Sequence, residues 1–521
     1  MAAIITEKFR QHNADQFHES FSETSASNYY LFIGKSSPFT ATTSGGADTS
    51  PPVPQDTVTV ESYKWDSMLA AKRIGSTDVS YVIPRRTYSN GVVYDMYEHD
   101  VTSTNPATSS ATNLYDSTFY FMTAEYKVYK VLDNNDGAAI AAGVSGPTST
   151  SSTPFFEGGY YLQYMYTLTT NEVNKFVTSD FIPVKVNSTV SADTATSSGD
   201  TAPFHGAPVK VIRTSAGSGY SNTNGTNGAG GSGGIYYAPI LGNGSGGKVK
   251  IVVSGGEIKP FGSNATTNSQ IEAPGEGYTY GIVNLDKVYS NAALTTAVSI
   301  GSGTGGAVVP IISPQVGHGF DPVSELGGHF VMMNTKLEQT ETDDFAIGND
   351  FREVGIVVDP TNAGTTTVAT ATQSRMTYAV KFGATSGTFE PDEKIVQSGT
   401  NATGRVVEYD NANSILYYQQ EQWENYGIDS NTSSSTYLSK VSFSGTNTIS
   451  GATSGATGTP VSTSPTETLS NGGTITFSAG GGGFAVPELE TDSGKIIYVE
   501  NRRPISRASD QTEDIKIVIE F

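Results

Sequence analysis

Six histidines, His12, His18, His99, His205, His318 and His329, are the side chains best suited to acid–base or metal chemistry near neutral pH. None stands in a His-X-X-X-His or His-Glu-X-X-His arrangement, the spacing that sets two ring nitrogens on one helical face. His318 and His329 are close enough in sequence to meet in a fold, but a loop or core placement is the expectation. No Gly-X-Ser-X-Gly elbow joins a strand to a helix, so no serine is presented as a nucleophile. Asp343-Asp344, with Asp350 nearby, could serve glycoside hydrolysis or hold a cation. Among 51 acidic residues such pairs arise by chance, and a solvated acidic loop is the expected use. Asp133-Asn-Asn-Asp-Gly137 has oxygen ligands for calcium but lacks the regular acidic spacing and the distant glutamate, so it reads as a turn. Gly217-Ser-Gly-Tyr220 could begin a phosphate loop, yet no Gly-Lys-Ser/Thr follows and no helical pattern opens after it. Its glycines are expected to supply the positive φ of tight turns. No cysteine is present, which excludes disulfides, thiolate metal sites and cysteine nucleophiles. The expectation is therefore no enzyme, no cofactor and no metal.

The elements that would position any site are mostly strands. The 521 residues are 36% hydrophobic and 16% charged, with 57 Gly, 28 Tyr and 23 Phe. That many aromatics argues against disorder, and Thr, Val and aromatics punctuated by glycine favour strands and turns. A net charge of −21 argues against phosphate-backbone recognition and against docking on an anionic membrane. No stretch approaches the apolar length of a membrane span, and the run at Ile4-Ile5 is too short for a signal peptide. Asn187 and Asn264, in Asn-X-Ser/Thr contexts, read as polar loop sequence.

Along the chain, Ile4-Ile5 reads as a short strand. Thr6 caps a helix carrying Phe9, Asn13, Phe17 and Phe21 on one face, and Tyr29 to Ile33 forms a strand. Thr40 to Pro54 is a loop, and Tyr63 to Lys72 a helix with Trp65 and Met68. Strands follow at Val79 to Ile83, Tyr94 to Glu98, Phe119 to Leu132 and Gly158 to Leu168, the last with aromatics on both faces and so covered on both sides. A short helix lies between Val173 and Val186, and Val354 to Val358 is a strand ending at the Asp359-Pro360 turn. The last 28 residues read as two apolar strands flanking a polar link from Glu500 to Asp514. The alternation of Ile515, Ile517, Ile519 and Phe521 tucks the final strand into a sheet.

Several of these stretches recur in one family's order: Lys8-Phe-Arg10, Asn28 to Phe39, Val82-Ile-Pro-Arg-Arg86, Val173 to Val186 and Asp350-Phe-Arg-Glu-Val-Gly-Ile-Val-Val-Asp-Pro360. The last is the C-terminal signature with Asn501-Arg-Arg-Pro504 and Asp510-Gln-Thr-Glu513. Together they resemble the baseplate wedge subunit family of T-even-type contractile-tailed phages, over about half of the chain. The resemblance implies a structural virion protein, a homodimer of mainly β subunits that binds other wedge subunits within six wedges around the tail hub. It would be made in the host cytoplasm and reside in the tail baseplate, holding it until rearrangement and sheath contraction, with neither nucleic acid nor membrane as partner.

Two duplications depart from that family. Gly217-Ser-Gly-Tyr220 recurs as Gly275-Glu-Gly-Tyr278, Gly244-Ser-Gly-Gly247 recurs as Gly303-Thr-Gly-Gly306, and Phe261 recurs as Phe320, at offsets of 58 to 59. Phe389, Ile395, Ala402-Thr-Gly404 and Val407 recur 54 residues on as Phe443, Ile449, Ala456-Thr-Gly458 and Val461. Each set suggests a pair of small β modules, with Gly480 to Gly483 a flexible return. The expected fold is mainly β. It has a multi-sheet antiparallel β-sandwich core with a few short helices, from 1–204, 321–362 and 485–521, and two inserted sets of β modules, 205–320 and 363–484.

The candidate structural or inter-subunit residues are Arg85, Arg86, Phe351, Arg352, Asn501, Arg502, Arg503, Asp510 and Phe521. Arg85 and Arg86 have two readings, surface pairing with Asp95 or Asp100, or an inter-subunit contact. A second functional reading is a receptor-binding or adhesin-like tail protein using its Gly/Tyr-rich modules, since tyrosines on β loops suit glycan or protein contact. A tail-associated hydrolase is a third, with no catalytic constellation behind it.

Overall fold

A computed structural model describes residues 4–23, 26–40, 46–185, 206–227, 234–264, 266–314, 317–338, 350–421, 427–470, 472–506 and 511–521. His205, Asn187, Asp343, Asp344 and Asp510, singled out above, lie outside them. Strands account for 41% of the chain and helix for 9%, in several antiparallel sheets with short helices. The chain falls into two compact units, Met1–Gln16 with Ser80–Met332 and Val518–Phe521, and Phe17–Val79 with Met333–Ile517.

In the first unit a four-stranded sheet runs in the order Tyr120–Met122, Lys127–Asp133, Tyr160–Thr167, Phe155–Glu157. Period-2 alternation sends Tyr120, Met122, Val128 and Leu132 into one apolar cluster and Phe121, Tyr129 and Val131 into another, so this sheet is covered on both faces. The single strand expected from Phe119 to Leu132 is a hairpin, because the chain reverses at Thr123–Tyr126, with Tyr126 at φ +59°. The stretch Tyr94 to Glu98 is extended but joins no ladder. Tyr97 donates its N–H to Val131 O (2.8 Å), and Tyr94 donates its own to the Tyr160 hydroxyl (3.1 Å). Ile4-Ile5 is not a strand. Thr6 does cap the helix Glu7–Glu19, its hydroxyl accepting the Phe9 N–H (3.3 Å), but the buried helix residues are Gln11 and Ala14 while Phe9 faces solvent.

The glycine-rich region of this unit interlocks its two copies. Pro208–Ser218, which leads into Gly217-Ser-Gly-Tyr220, pairs with Thr304–Ile312 from the other copy. Gln270–Ala273, which leads into Gly275-Glu-Gly-Tyr278, pairs with Lys248–Ser254 from the first. Each tyrosine docks on the glycines of the opposite copy: Gly306 N–H donates to the Tyr220 hydroxyl (2.9 Å) and Gly247 N–H to the Tyr278 hydroxyl (3.1 Å). A Cβ at Gly303 would stand 2.4 Å from the Tyr220 ring, and one at Gly244 would stand 2.5 Å from that of Tyr278. These glycines make room for a ring, which is why the motif is duplicated. Both tyrosines belong to one apolar cluster with Val249, Ile251, Ile258 and Val308.

In the second unit the sheet order is Gln373–Arg375, Met68–Arg73, Tyr29–Gly34, Asp350–Val358, Lys495–Ser506. Helix Val58–Ser67, capped by Thr57, delivers Trp65 to the cluster beneath. The helix expected to run to Lys72 stops at Ser67 because Met68–Arg73 pairs along Tyr29–Gly34, tertiary pairing overriding local helix preference. The strand Lys495–Ser506 absorbs Asn501-Arg-Arg-Pro504, so the polar link to the final strand Glu513–Glu520 is shorter than expected. Proline is tolerated there because the strand lies at the sheet edge.

The 54-residue duplication also forms one body. Strands Tyr378–Ser386, Thr457–Pro460, Ile449–Gly451, Lys394–Gln397, Thr403–Asp410 and Ile415–Gln419 pair in that order, and the last pairs back to the first, closing a six-stranded barrel. The copies meet in register, Ile395 opposite Gly451, Val396 opposite Ser450 and Gln397 opposite Ile449, which is a local two-fold about Val396 and Ser450. Its interior takes Phe389 and Phe443, Ile395 and Ile449, and Ala402 and Ala456 from the two copies. Gly480 to Gly483 is a packed turn. All four have positive φ (62°, 87°, 107° and 78°), and a Cβ at Gly483 would meet Val461 O at 2.4 Å.

Candidate assembly sites

Arg85 and Arg86 follow the strand Val79–Pro84 in the first unit and bond to neither Asp95 nor Asp100. Arg85 Nη1 donates to Thr178 O (2.8 Å) and its Nε to Thr87 Oγ1 (3.2 Å). Arg86 Nη2 donates to Tyr115 O (2.9 Å), and its guanidinium lies 4.6 Å from the Tyr120 ring centre. Asp95 is buried and is satisfied locally by the Ser109 N–H (2.7 Å) and by the Thr118 N–H (2.7 Å) and hydroxyl (3.0 Å). Burial pushes its carboxyl up, but these hydrogen bonds outweigh burial and leave it below the usual range. Phe521 is half-buried and donates its N–H to His329 O (3.1 Å), which ties down the C-terminal residue.

Phe351, Arg352, Asn501, Arg502 and Arg503 share two neighbouring strands of the second unit, where Glu353 stands opposite Asn501. Phe351 is fully buried. The Arg352 fork grips both oxygens of Asp48 (2.9 and 3.0 Å), reaches Asp350 (3.3 Å) and donates to Ser36 O. Such a bidentate pair is geometrically demanding, and lysine cannot replace it. The Arg352 hydrogen bond holds the Asp48 carboxyl below its ordinary range, helped by the Phe39 N–H. Asn501 donates to Pro52 O (2.9 Å). Glu353 is buried, with Lys64 as its partner, and burial pushes its carboxyl up. Arg502 and Arg503 are exposed, Arg502 lying 3.4 Å from Glu500. Their strand ends the sheet, and among the described residues no further strand is hydrogen-bonded along its outer edge.

Sequence reasoning missed the buried lysines. Lys130 and Lys210 each sit mid-strand between apolar residues, the one signal available, since a lysine there must point out to solvent or find an acid. Lys130 meets Glu325 (2.8 Å) and His318 Nδ1 (2.9 Å), all three buried, and Lys210 meets Asp133. His329 pairs with Glu7. Among the described residues no group of three or more His, Asp or Glu is placed to hold a metal ion. In Asp133-Asn-Asn-Asp-Gly137 the oxygens are occupied: Asp133 accepts the Asn135 N–H (2.9 Å), Asn134 accepts the Gly137 N–H (3.1 Å) and Asp136 pairs with Arg213 (3.1 Å). Among the described residues no helix is long and apolar enough to cross a membrane.

A cysteine-free, mainly β chain whose charged side chains brace strands from within has the construction of a structural protein. A family model described as Bacteriophage T4, Gp8 matches residues 3–154 and 401–521, just over half of the sequence. The chain belongs to this family, that of the T4 baseplate wedge protein gp8, and is a structural protein of the phage baseplate. Comparison with curated proteins gave no match. The matched residues include Arg85, Arg86 and the whole C-terminal signature. They also run through 401–484, set apart above as inserted, and omit 155–400, with Phe351 and Arg352.

Proposed function

We propose that this chain acts as a homodimeric wedge subunit in the baseplate of a contractile tail, binding other wedge subunits until rearrangement triggers sheath contraction. The family match carries this reading. The braced sheets support it, because a part that transmits load must resist shear between strands. Within it, Phe351, Arg352, Asn501, Arg85 and Arg86 fix the fold, while Arg502 and Arg503, exposed on an edge strand, are offered to a neighbouring subunit. Asp510 and Phe521 are assigned to the same closing segment. Regions 205–320 and 363–484 are read as additions to a common wedge core. The test is co-expression with the other wedge proteins of the same phage, with light scattering on the isolated chain. A dimer that co-purifies with wedge partners is expected, and Arg502→Glu with Arg503→Glu should weaken capture at least tenfold without changing the circular dichroism. A monomer that ignores every wedge partner would sink the proposal.

Exposed Tyr280 and Ile282, 59% and 60% accessible, just before and within the strand Gly281–Val283 of the glycine-rich region, favour a second reading in which that region contacts a receptor. Glycan-array binding by the full chain, lost in Tyr280→Ala, would support it. An array at background would end it.

A further inference from the structure

Strand Lys127–Asp133 holds two buried lysine–carboxylate pairs, and they differ in chemistry. In the first, Glu325 Oε2 accepts from Lys130 Nζ while Oε1 accepts the N–H groups of Gly319 (2.7 Å) and Asp321 (3.2 Å). Burial opposes charge on Glu325, but the Lys130 cation and the surrounding hydrogen bonds keep it an ionised carboxylate. Burial pushes the Lys130 ammonium down as it does that of Lys210, so the two pairs differ on the carboxylate side.

The second pair joins Asp133 to Lys210 of the strand Pro208–Ser218, with Nζ in direct contact with Oδ1. Only 3% of the lysine side chain and 4% of the aspartate side chain are accessible. The wall around the amine is apolar: Met96 Sδ lies at 3.1 Å and the Phe261 ring centre at 6.0 Å. Here burial wins on both sides, pushing the Asp133 carboxyl up and the Lys210 ammonium down, toward a neutral acid beside a neutral amine. Glu98 lies within electrostatic reach of Lys210, and burial pushes its carboxyl up as well.

We propose that Lys210 and Asp133 condense to an intramolecular isopeptide bond. The Lys210 nitrogen lone pair attacks Cγ of the protonated Asp133 carboxyl, forming the N–C bond and moving the carbonyl electron pair onto oxygen. One proton passes from the nitrogen to the hydroxyl. The C–O bond breaks with its electron pair, the carbonyl re-forms, and one water leaves. No oxidant or external reactant is required. The amide leaves no ionisable pair in an interior that solvates charge poorly. It also closes a loop between residues 77 apart, constraining the unfolded chain as a disulfide would in a protein that has no cysteine.

Mass spectrometry of the purified full chain and of its tryptic peptides decides the matter. The expected result is a chain one water lighter than its sequence and a branched peptide joining Asp133 to Lys210, uncleaved after Lys210. Lys210→Met should restore the full mass. Full mass with ordinary cleavage after Lys210 in the unmutated chain would overturn the bond, whether or not the variant folds.

Discussion

The two duplicated regions reach closure by different routes. In the barrel the copies lie side by side, meeting at Val396 and Ser450, and the flanking strands Tyr378–Ser386 and Ile415–Gln419 complete the ring. Its interior is aliphatic and aromatic, with Phe382 stacked on Phe389 at 5.5 Å and Tyr418 edge-on to Phe443 at 4.8 Å. In the glycine-rich region the copies exchange strands, and each buried tyrosine is held by a backbone N–H of the other copy. Repetition in sequence thus gives a symmetric seam in one case and mutual completion in the other. The deciding feature is where glycine falls. Gly458 stands against the Phe382 ring of a flanking strand and Gly404 lies between Tyr418 of a flanking strand and Phe443 of the other copy, whereas Gly303 and Gly244 open a socket for a tyrosine of the opposite copy.

Three measurements would break or sharpen this contrast. Tyr278→Ala empties a socket and should cost about 3–5 kcal/mol. Because the copies interlock, amide exchange should rise in Pro208–Ser218 and Thr304–Ile312 as well as in Lys248–Ser254. Exchange confined to Lys248–Ser254 and Gln270–Ala273 would show that the copies are independent. The next effect is acid. His318, next to the Lys130–Glu325 pair, is held neutral by burial and by the Lys130 cation, which lower its pKa to about 4. An unfolded histidine titrates near 6.5 and binds its proton first. Stability from this group is therefore complete above about pH 6.5 and is lost as pH falls toward 4, on the order of 3 kcal/mol over the whole span. The barrel stretch 378–485 contains no histidine, so acid should loosen the segment around His318 first, and His318→Gln should flatten that slope. Equal acid sensitivity in both regions would remove this distinction. The smallest effect is Tyr278→Phe, which deletes the hydroxyl that accepts the Gly247 N–H and should cost about 1 kcal/mol. No change in melting temperature would mean that the ring alone fills the socket.

The Thr6 cap, the strand at Tyr29 to Ile33 and the strand ending at Asp359-Pro360 are legible in sequence, because caps, turns and alternation act within a few residues; the short helix read between Val173 and Val186 lies at Thr170–Phe176. The errors occur where distant chain decides. Leu69 to Lys72 looks helical until Tyr29–Gly34 offers it a partner. Tyr94 to Glu98 has strand composition and no ladder to join. Among the candidate residues, Arg352 and Asn501 were identifiable from their motifs, but their partners, Asp48 and the Pro52 carbonyl, lie hundreds of residues away in sequence. Of the two readings of Arg85 and Arg86, the pairing with Asp95 or Asp100 does not form: they donate to carbonyls and the Thr87 hydroxyl, and Arg86 lies over an aromatic face.

By itself, then, the sequence determined that the chain is mainly β, that it lacks thiol chemistry, that it carries two internal repeats and that it bears a baseplate family's motifs, since composition, alternation and order are local or countable properties. Tertiary structure alone decided that one repeat interlocks while the other closes a barrel, and that Lys130 and Lys210 point inward. Alternation fixes which side chains share a face, but antiparallel pairing chooses the partner strand across long sequence gaps. Burial of a charge is set by whatever distant segment covers it.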